Sequence, residues 1–422
     1  MCTLVKILVV GSGAREHALV TSLLASGEEV IAAPGTAGIA REVPVENLDV
    51  ADAAAIADLA QRLSVDLVVI GPELPLVAGA ADEVRARGIA CFGPSAQAAV
   101  LEGSKAFAKQ VMAAAGVPTA MAKVCTDVNE VRAALDAFGP PFVVKDDGLA
   151  AGKGVVVTDD RDAALAHARV CLSRGGDAAV VIEEYLDGPE VSLFAITDGV
   201  TVLPLAPAQD YKRVGEGDTG ANTGGMGAYS PLPWAPQGIV EEICERVLQP
   251  TVDAMHASGT PFVGLLYAGL ALTSRGLKVV EFNARFGDPE TQVVLARMTS
   301  PLGPLLLAAA QGTLDTAEPP HFTDDAAVVV VLAAEGYPAS VTTGDPIEGL
   351  EEAATMPGAT VLHAGTATAE DGGTIASGGR VLSIVGTGSD LSAARNAAYG
   401  ALDRIRLRGS HFRRDIAEGK GK

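Results

Sequence analysis

The residues with the most chemistry to offer stand in four short stretches. In "VVEFNARFGDPETQ", Glu281 and Asn283 lie two positions apart in an otherwise apolar run. Strand alternation puts their oxygens on one face, with Val280 and Phe282 on the other. Two oxygen side chains so placed suit Mg²⁺, and a carboxylate buried without a partner would be costly. The plain alternative is an edge strand whose Glu281 and Asn283 face water. Arg285, Asp288 and Glu290 crowd the Gly-Pro loop that follows, where an arginine can hold a carboxylate or phosphate through a fork of two hydrogen bonds.

The second stretch is "VVKDDGLAAGKGVVV", residues 143–157. A Walker A loop has four residues between its glycines and Ser or Thr after the lysine. Here Gly148 and Gly152 are three residues apart, and Gly154 follows Lys153. Both flanks are valine-rich and strand-like, so the stretch reads as a hairpin tip. Such a tip can close over a nucleotide, with backbone N–H groups and Lys153 near the phosphates and Lys145 pointing inward as a fixed charge. Taken alone, the stretch is better explained as an exposed, mobile hairpin with solvated lysines.

The third stretch, "GSGAREH", starts like a dinucleotide fingerprint, but Glu16 occupies the third glycine position. The next strand ends in Pro34-Gly35, where a ribose-binding carboxylate is wanted. NAD is therefore disfavoured. A helix N-terminus beside Gly11, Gly13 and Arg15 still suits a phosphate, a tight turn with a surface arginine being the alternative. The fourth, "QDYKRVGEGDTGANTGGMGAYSP", spans residues 209–231. A passive linker is the simplest account of its glycines, yet Asp210, Lys212, Arg213, Asn222 and Thr223 are unusual cargo for one. We read it as a substrate loop.

These residues need elements to position them. Residues 6–92 alternate short apolar runs with helical patterns, which predicts a parallel sheet covered on both faces. A first boundary falls at 103. Residues 120–190 read as a small α+β lid, residues 191–300 return to strands, "SPLGP" reads as a break, and a last α/β unit starts near 326. Its helix "LSAARNAAYGALDRI" keeps apolar spacing, and the unit reads as structural packing. The end, "GSHFRRDIAEGKGK", is expected to fray. The expected domains are 1–103, 104–325 and 326–422, in an α/β and α+β multidomain chain.

Composition narrows the function. The net charge of −21 argues against a nucleic-acid binder and for a small-molecule task. Five scattered cysteines show neither metal spacing nor a disulfide framework, the N-terminus has no signal-peptide layout, and no apolar run spans a membrane. A cytoplasmic location is expected. No long apolar helix or heptad seam demands a partner, which is compatible with a monomer but says little about oligomeric state.

A lysine hairpin, then "IEEYL" with Glu190 nearby, then a Glu-x-Asn strand is the order found in the ATP-grasp superfamily. Through "GSGAREHAL", "GPELPLV", "FGPSAQAAVLEGSKAF", "KDDGLAAGKGV", the glycine-rich stretch, "LYAGL", "EFNARFGDPETQ" and "HAGT", nearly the whole chain resembles the phosphoribosylamine–glycine ligase family. That resemblance implies an N-terminal pre-ATP-grasp domain, an ATP-grasp domain with a lid, and a C-terminal domain. It implies ligation of glycine to 5-phosphoribosylamine, with ATP split to ADP and phosphate through an acyl phosphate. Lys105, Lys145 and the Gly152-Lys153-Gly154 tip would contact ATP phosphates. Glu183, Glu184 and Leu186 would border adenine, and Glu190 would bind the ribose. Glu281 and Asn283 would hold Mg²⁺ or Mn²⁺. Gly11, Gly13, Arg15, Glu16, Glu73, Asp210, Lys212 and the Asn222-Thr223-Gly224-Gly225-Met226 loop would shape the phosphoribosylamine site. Arg285 and Asp288-Pro289-Glu290 would face glycine. Arg285, Lys145 and Asp210 would do the catalytic work. Asp146, Ala284 and Ala221 depart from the family's usual residues; Asp146 puts the charge balance around Lys145 in question, and alternation favours the opposite strand face for it. The rivals are another ATP-grasp carboxylate–amine ligase or carboxylase, and an ATP-binding relative without chemistry.

Overall fold

The computed structural model describes residues 4–148, 154–176 and 178–419. The first sheet is parallel throughout, in the order Glu29–Pro34, Lys6–Gly11, Leu67–Ile70, Ala90–Phe92. Its central strand is buried on both faces. Leu8 and Val10 pack with Ile56 and Val84 of two helices, and Ile7 and Val9 with Leu19 and Leu23 of a third. That is why this strand reads as an unbroken apolar run rather than an alternating one.

The second sheet has the order Ala122–Cys125, Val180–Glu183, Phe142–Asp146, Val155–Thr158 and is antiparallel. With the helices Val128–Phe138 and Arg161–Leu172 it encloses a separate core that includes Leu135, Val144, Leu165 and Ile182. Lys145 pairs with Val155 across the hairpin. The hairpin tip, with Gly152 and Lys153, lies outside the described residues.

A third antiparallel sheet runs Val202–Pro204, Glu190–Asp198, Val263–Thr273, Gly276–Asn283. A fourth runs Gln209–Asp210, Gly227–Ser230, Ala326–Ala333, Arg380–Gly388, Ala359–His363. Two strands at the ends of the glycine-rich stretch thus complete the sheet of the last unit. The stretch itself is more ordered than a loop: Arg213–Gly215 and Thr219–Asn222 form a small hairpin. Among the described residues no helix is long and apolar enough to cross a membrane.

Two expectations need correction, and one helical run needs a physical account. The "SPLGP" break is the start of a helix, Leu302–Gln311, whose first turn tolerates Pro304 because its N–H would lack a partner there anyway. A helical run from Ile239 to Ala257 carries Pro250 in its interior; a π-helical turn at Cys244–Leu248 lies just before the proline, which explains how the run continues through a residue that usually ends one. The chain end does not fray up to residue 419. Arg413 is almost fully buried, paired with Asp218 at 2.8 Å and Asp415 at 2.6 Å, and Ile416 is fully buried. Acidic partners and the Tyr211 ring, 4.8 Å below the Arg413 guanidinium, turn an apparently basic tail into a packed one.

Candidate active site

Two lysines flank the root of the hairpin. Lys145, on the strand Phe142–Asp146, is buried, and its Nζ lies 2.9 Å from Glu183 Oε2 and donates to Val280 O at 3.1 Å. Lys105 opens the helix Lys105–Ala115 and donates to Gly148 O at 3.0 Å. Ser104 caps that helix through Phe107 N and also bonds Asp147, tying the helix start to the hairpin. Gly154 O accepts from Asp146 N at 2.8 Å. Asp146 is buried and pairs with Arg174, so it does not neutralise Lys145. Both carboxylates of "IEEYL" are engaged by cations. Lys109 and Lys145 each hold one oxygen of Glu183, and Lys278 and Arg275 hold Glu184. Partial burial works against Glu184 ionising, but these two cations and the Met121 N–H bring its carboxyl down to about 2. Leu186 is half-buried just beyond.

The strand Gly276–Asn283 departs from simple alternation. Leu270 pairs with Val279 and Gly269 with Glu281, so Val280 is an extra residue without a partner. The expectation that Val280 shares a face with Phe282 is therefore wrong. Leu277, Val279 and Phe282 are buried, whereas Lys278, Val280, Glu281 and Asn283 are half-buried. Glu281 and Asn283 still flank the buried Phe282 and share a face. Neither side chain has a hydrogen-bond partner among the described residues, and no group of three or more His, Cys, Asp or Glu side chains there could hold a metal ion alone. Two uncommitted oxygen donors suit a Mg²⁺ that takes its remaining ligands from phosphates and water.

Lys212 is the hub of the next cluster, 2.9 Å from Asp210 and also paired with Glu190. One ammonium serves several carboxylates. Burial pushes the Asp210 carboxyl up to about 7; Lys212 opposes this, while Glu290 and Glu190 reinforce it. Burial works against the Lys212 cation, yet Asp210, Glu190, Tyr267 and Glu281 hold its pKa well above the ordinary value.

Arg285 bridges the first and middle units. Its guanidinium lies 3.2 Å from Glu73 and 3.1 Å from Glu102, whose second oxygen accepts Ala284 N at 2.7 Å. Arg15 reaches the same corner, donating to Phe286 O at 3.1 Å and to Glu16 at 2.6 Å. Glu16 is almost fully buried and its other oxygen takes Gly13 N, so it fixes the turn rather than facing a ligand. A Cβ at Gly11 or Gly71 would fall within 2.7 Å of that carboxylate, which explains why glycine surrounds it.

The loop Asp288-Pro289-Glu290 meets the glycine-rich stretch. Glu290 is buried and accepts from Tyr267 Oη at 2.6 Å, and Tyr267 in turn bonds Ser192 at 2.9 Å. Thr223 Oγ1 donates to Lys212 O at 2.8 Å and accepts from Gly225 N at 3.0 Å. Gly225 packs on Pro289, and Gly224 is held from the last unit by Arg380 and Tyr337. Met226 is fully buried behind the loop, and Asn222 lies in the small hairpin opposite Arg213.

The structure thus gathers Lys145, Glu190, Asp210, Lys212, Glu281, Arg285 and Glu290 into linked charge clusters. It adds Glu102, Lys109, Tyr267 and Arg380, which sequence reasoning missed. Glu102 and Tyr267 left a signal, a lone polar group inside the apolar runs "AAVLEG" and "LLYAGL"; Arg380 left none. It corrects the reading of the last unit as packing alone.

A parallel sheet, a small lysine-bearing sheet and an antiparallel sheet ending in an oxygen-bearing strand define an ATP-grasp protein. The biotin carboxylase domain of 2-oxoglutarate carboxylase from Hydrogenobacter thermophilus, solved with MgADP, has the same fold, with a TM-score of 0.73 at 17% identity over 98% of this chain and 92% of that one. Residues 5–102, 103–291 and 327–419 match the N domain, ATP-grasp (A) domain and C domain of phosphoribosylglycinamide synthetase. The chain belongs to that family of ligases. It is 61% identical over 416 residues to phosphoribosylamine–glycine ligase of Streptomyces coelicolor, covering 98% of each chain, and 58% identical to that of Leifsonia xyli, covering 98% and 99%. The crystal structure of phosphoribosylamine–glycine ligase from Thermotoga maritima matches with a TM-score of 0.85 at 33% identity, over 98% of this chain and 100% of that one.

Proposed function

We propose that the protein ligates glycine to 5-phosphoribosylamine in purine biosynthesis, forming glycinamide ribonucleotide while ATP becomes ADP and phosphate. The observation that carries this reading is the Gly276–Asn283 strand. It presents uncommitted Glu281 and Asn283 next to Val280, whose carbonyl anchors Lys145, and within electrostatic reach of Lys212.

Lys105, Lys145 and the Gly152-Lys153-Gly154 tip hold the ATP phosphates, while the segment Glu183–Leu186 borders adenine and Glu190 the ribose. Glu281 and Asn283 would hold Mg²⁺ or Mn²⁺, which offsets charge on phosphate oxygens when bound. Arg285 orients the glycine carboxylate, whose oxygen attacks the γ-phosphorus as the bond to ADP breaks. The amine of phosphoribosylamine, placed by Gly11, Gly13, Arg15, Glu73, Lys212 and residues 222–226, with Glu16 holding the Gly11–Arg15 turn from behind, then attacks the acyl carbon. The carbon–oxygen bond to phosphate breaks and the nitrogen loses a proton. Asp210, with a carboxyl raised toward neutrality, is poised to receive it. Asp288, Pro289 and Glu290 close the glycine side. Charge neutralisation and positioning carry most of such a reaction.

With this reading goes an enzyme of small-molecule substrates, which we propose acts in the cytoplasm and as a monomer. Its domains are 1–103, 104–325 and 326–422, the last completing its sheet with two strands of the second. In a coupled assay, ADP should appear only when ATP, Mg²⁺, glycine and freshly made phosphoribosylamine are all present. Equal ADP release without glycine, or with another acid in its place, would overturn the assignment.

A further inference from the structure

The last unit makes one contact that its expected packing role does not explain. Arg380 starts the strand Arg380–Gly388, and its backbone is fixed by pairing with Ala333 and by Gly365 N, which donates to Arg380 O at 2.9 Å. From this rigid base the guanidinium crosses into the middle unit. One nitrogen donates to Gly224 O at 2.6 Å and to Asp288 O at 2.7 Å; another pairs with the Asp288 carboxylate at 3.0 Å. It therefore joins two loops that are 64 residues apart in sequence, Gly224 and Asp288. Tyr337, from the same unit, takes Gly224 N on its hydroxyl at 3.1 Å. The N–H and C=O of Gly224 are thus both held by the last unit.

The two loops are in direct contact beside this staple. A Cβ at Gly225 would stand 2.4 Å from Pro289 Cδ, and one at Gly224 would stand 3.0 Å from Arg380 Cζ. The fit leaves little slack. The side chain of Arg380 is 23% exposed, and its donors point at backbone carbonyls and a carboxylate rather than into open space. Asp288 is nearly enclosed and bonds Gln292 at 2.8 Å, so the staple also reaches the helix Glu290–Arg297. A lysine could not reproduce this geometry, because a forked guanidinium addresses several acceptors at once and an ammonium does not.

We infer that Arg380 is a positioning residue: it holds the glycine-rich loop against the Asp288–Glu290 loop and so fixes the distance between the phosphoribosylamine and glycine subsites. The inference rests on the function proposed above. It separates the labour of the units, because nucleotide binding depends on the lid and the middle unit, while alignment of the other two substrates depends on the last. A displacement of about 1 Å between reacting groups can cost about 100-fold in rate.

The test uses the full chain with Arg380→Ala, Arg380→Lys and Tyr337→Phe. Wild-type ADP release that depends on glycine and phosphoribosylamine is measured first, and its absence would defeat the proposed function whatever the variants do. Given that dependence, Arg380→Ala should lose about 100-fold in kcat/KM for both glycine and phosphoribosylamine. Its affinity for a fluorescent ATP analogue should stay at the wild-type value. Added guanidinium at millimolar concentration should restore part of the rate in Arg380→Ala, and Arg380→Lys should remain impaired. Tyr337→Phe, which keeps the packing, should show a smaller loss with the same split, and it carries the test if Arg380→Ala does not fold. Wild-type kcat/KM in Arg380→Ala, or an equal loss of ATP-analogue affinity without guanidinium rescue, would overturn the inference.

Discussion

Gly225→Ala probes how tightly the two substrate loops are pressed together. Gly225 has a φ of +114°, where a side chain is strained, and its ideal Cβ would lie 2.4 Å from Pro289 Cδ. Carbon atoms in good contact stay about 3.5–4.0 Å apart. The backbone strain costs about 1–3 kcal/mol, and forced overlap adds about 1–3 kcal/mol. If the loop holds its place, the whole cost appears as lost stability. If it moves off Pro289, stability falls less, and catalysis falls because the subsites separate. Gly259→Ala is the control, since Gly259 has a φ of +79° with nothing within 4 Å of its ideal Cβ. It should lose only about 1–2 kcal/mol, with full activity. Urea unfolding and kcat/KM for glycine measure both arms. Equal stability losses in the two variants, with wild-type activity in Gly225→Ala, would refute the reasoning.

Asp210→Asn should separate stability from activity. The Asp210 carboxyl titrates at about 7 in the folded chain against 3.8 for the free group, so folding takes up a proton between those values. The wild type then loses stability as pH rises through this range, and the variant should gain about 3 kcal/mol on it between pH 5 and pH 8, seen in denaturant unfolding at both, while turnover collapses. Glu102→Gln keeps an acceptor for Ala284 N but takes a charge from Arg285. It should cost up to about 3 kcal/mol, because Glu73 remains, and lower kcat/KM for glycine with ATP affinity intact; an unchanged glycine constant would detach Glu102 from the site. Glu281→Ala should abolish turnover at any Mg²⁺ concentration with an unchanged melting temperature, and full activity at limiting Mg²⁺ would show that its carboxylate holds no metal.

Elements with a clean period were legible in the sequence. The buried strand Lys6–Gly11, the helix Leu391–Leu402 and the hairpin around Lys145 follow from apolar runs and spacing alone. So does the shared face of Glu281 and Asn283. What escaped were features decided by partners distant in the chain. The bulge at Val280 depends on its register with Val263–Thr273, which no local pattern encodes. The order of the chain end depends on Asp218 and Tyr211, far upstream of Arg413. Arg380 sits at the start of a strand like many surface arginines, and only the fold carries it to Asp288. Glu183 and Glu184 show the converse. The family resemblance placed them beside the adenine, and the structure commits both carboxylates to lysine and arginine neighbours.

The central claim is that a nucleotide's phosphates lie between the hairpin lysines and a cation seated on Glu281 and Asn283. A crystal structure with a non-hydrolysable ATP analogue and Mg²⁺ tests it most directly. The account predicts a metal about 2.0–2.1 Å from oxygens of both side chains, with the phosphates within hydrogen-bond reach of Lys105 and Lys145. A nucleotide bound elsewhere, with Glu281 and Asn283 turned to bulk water, would contradict it.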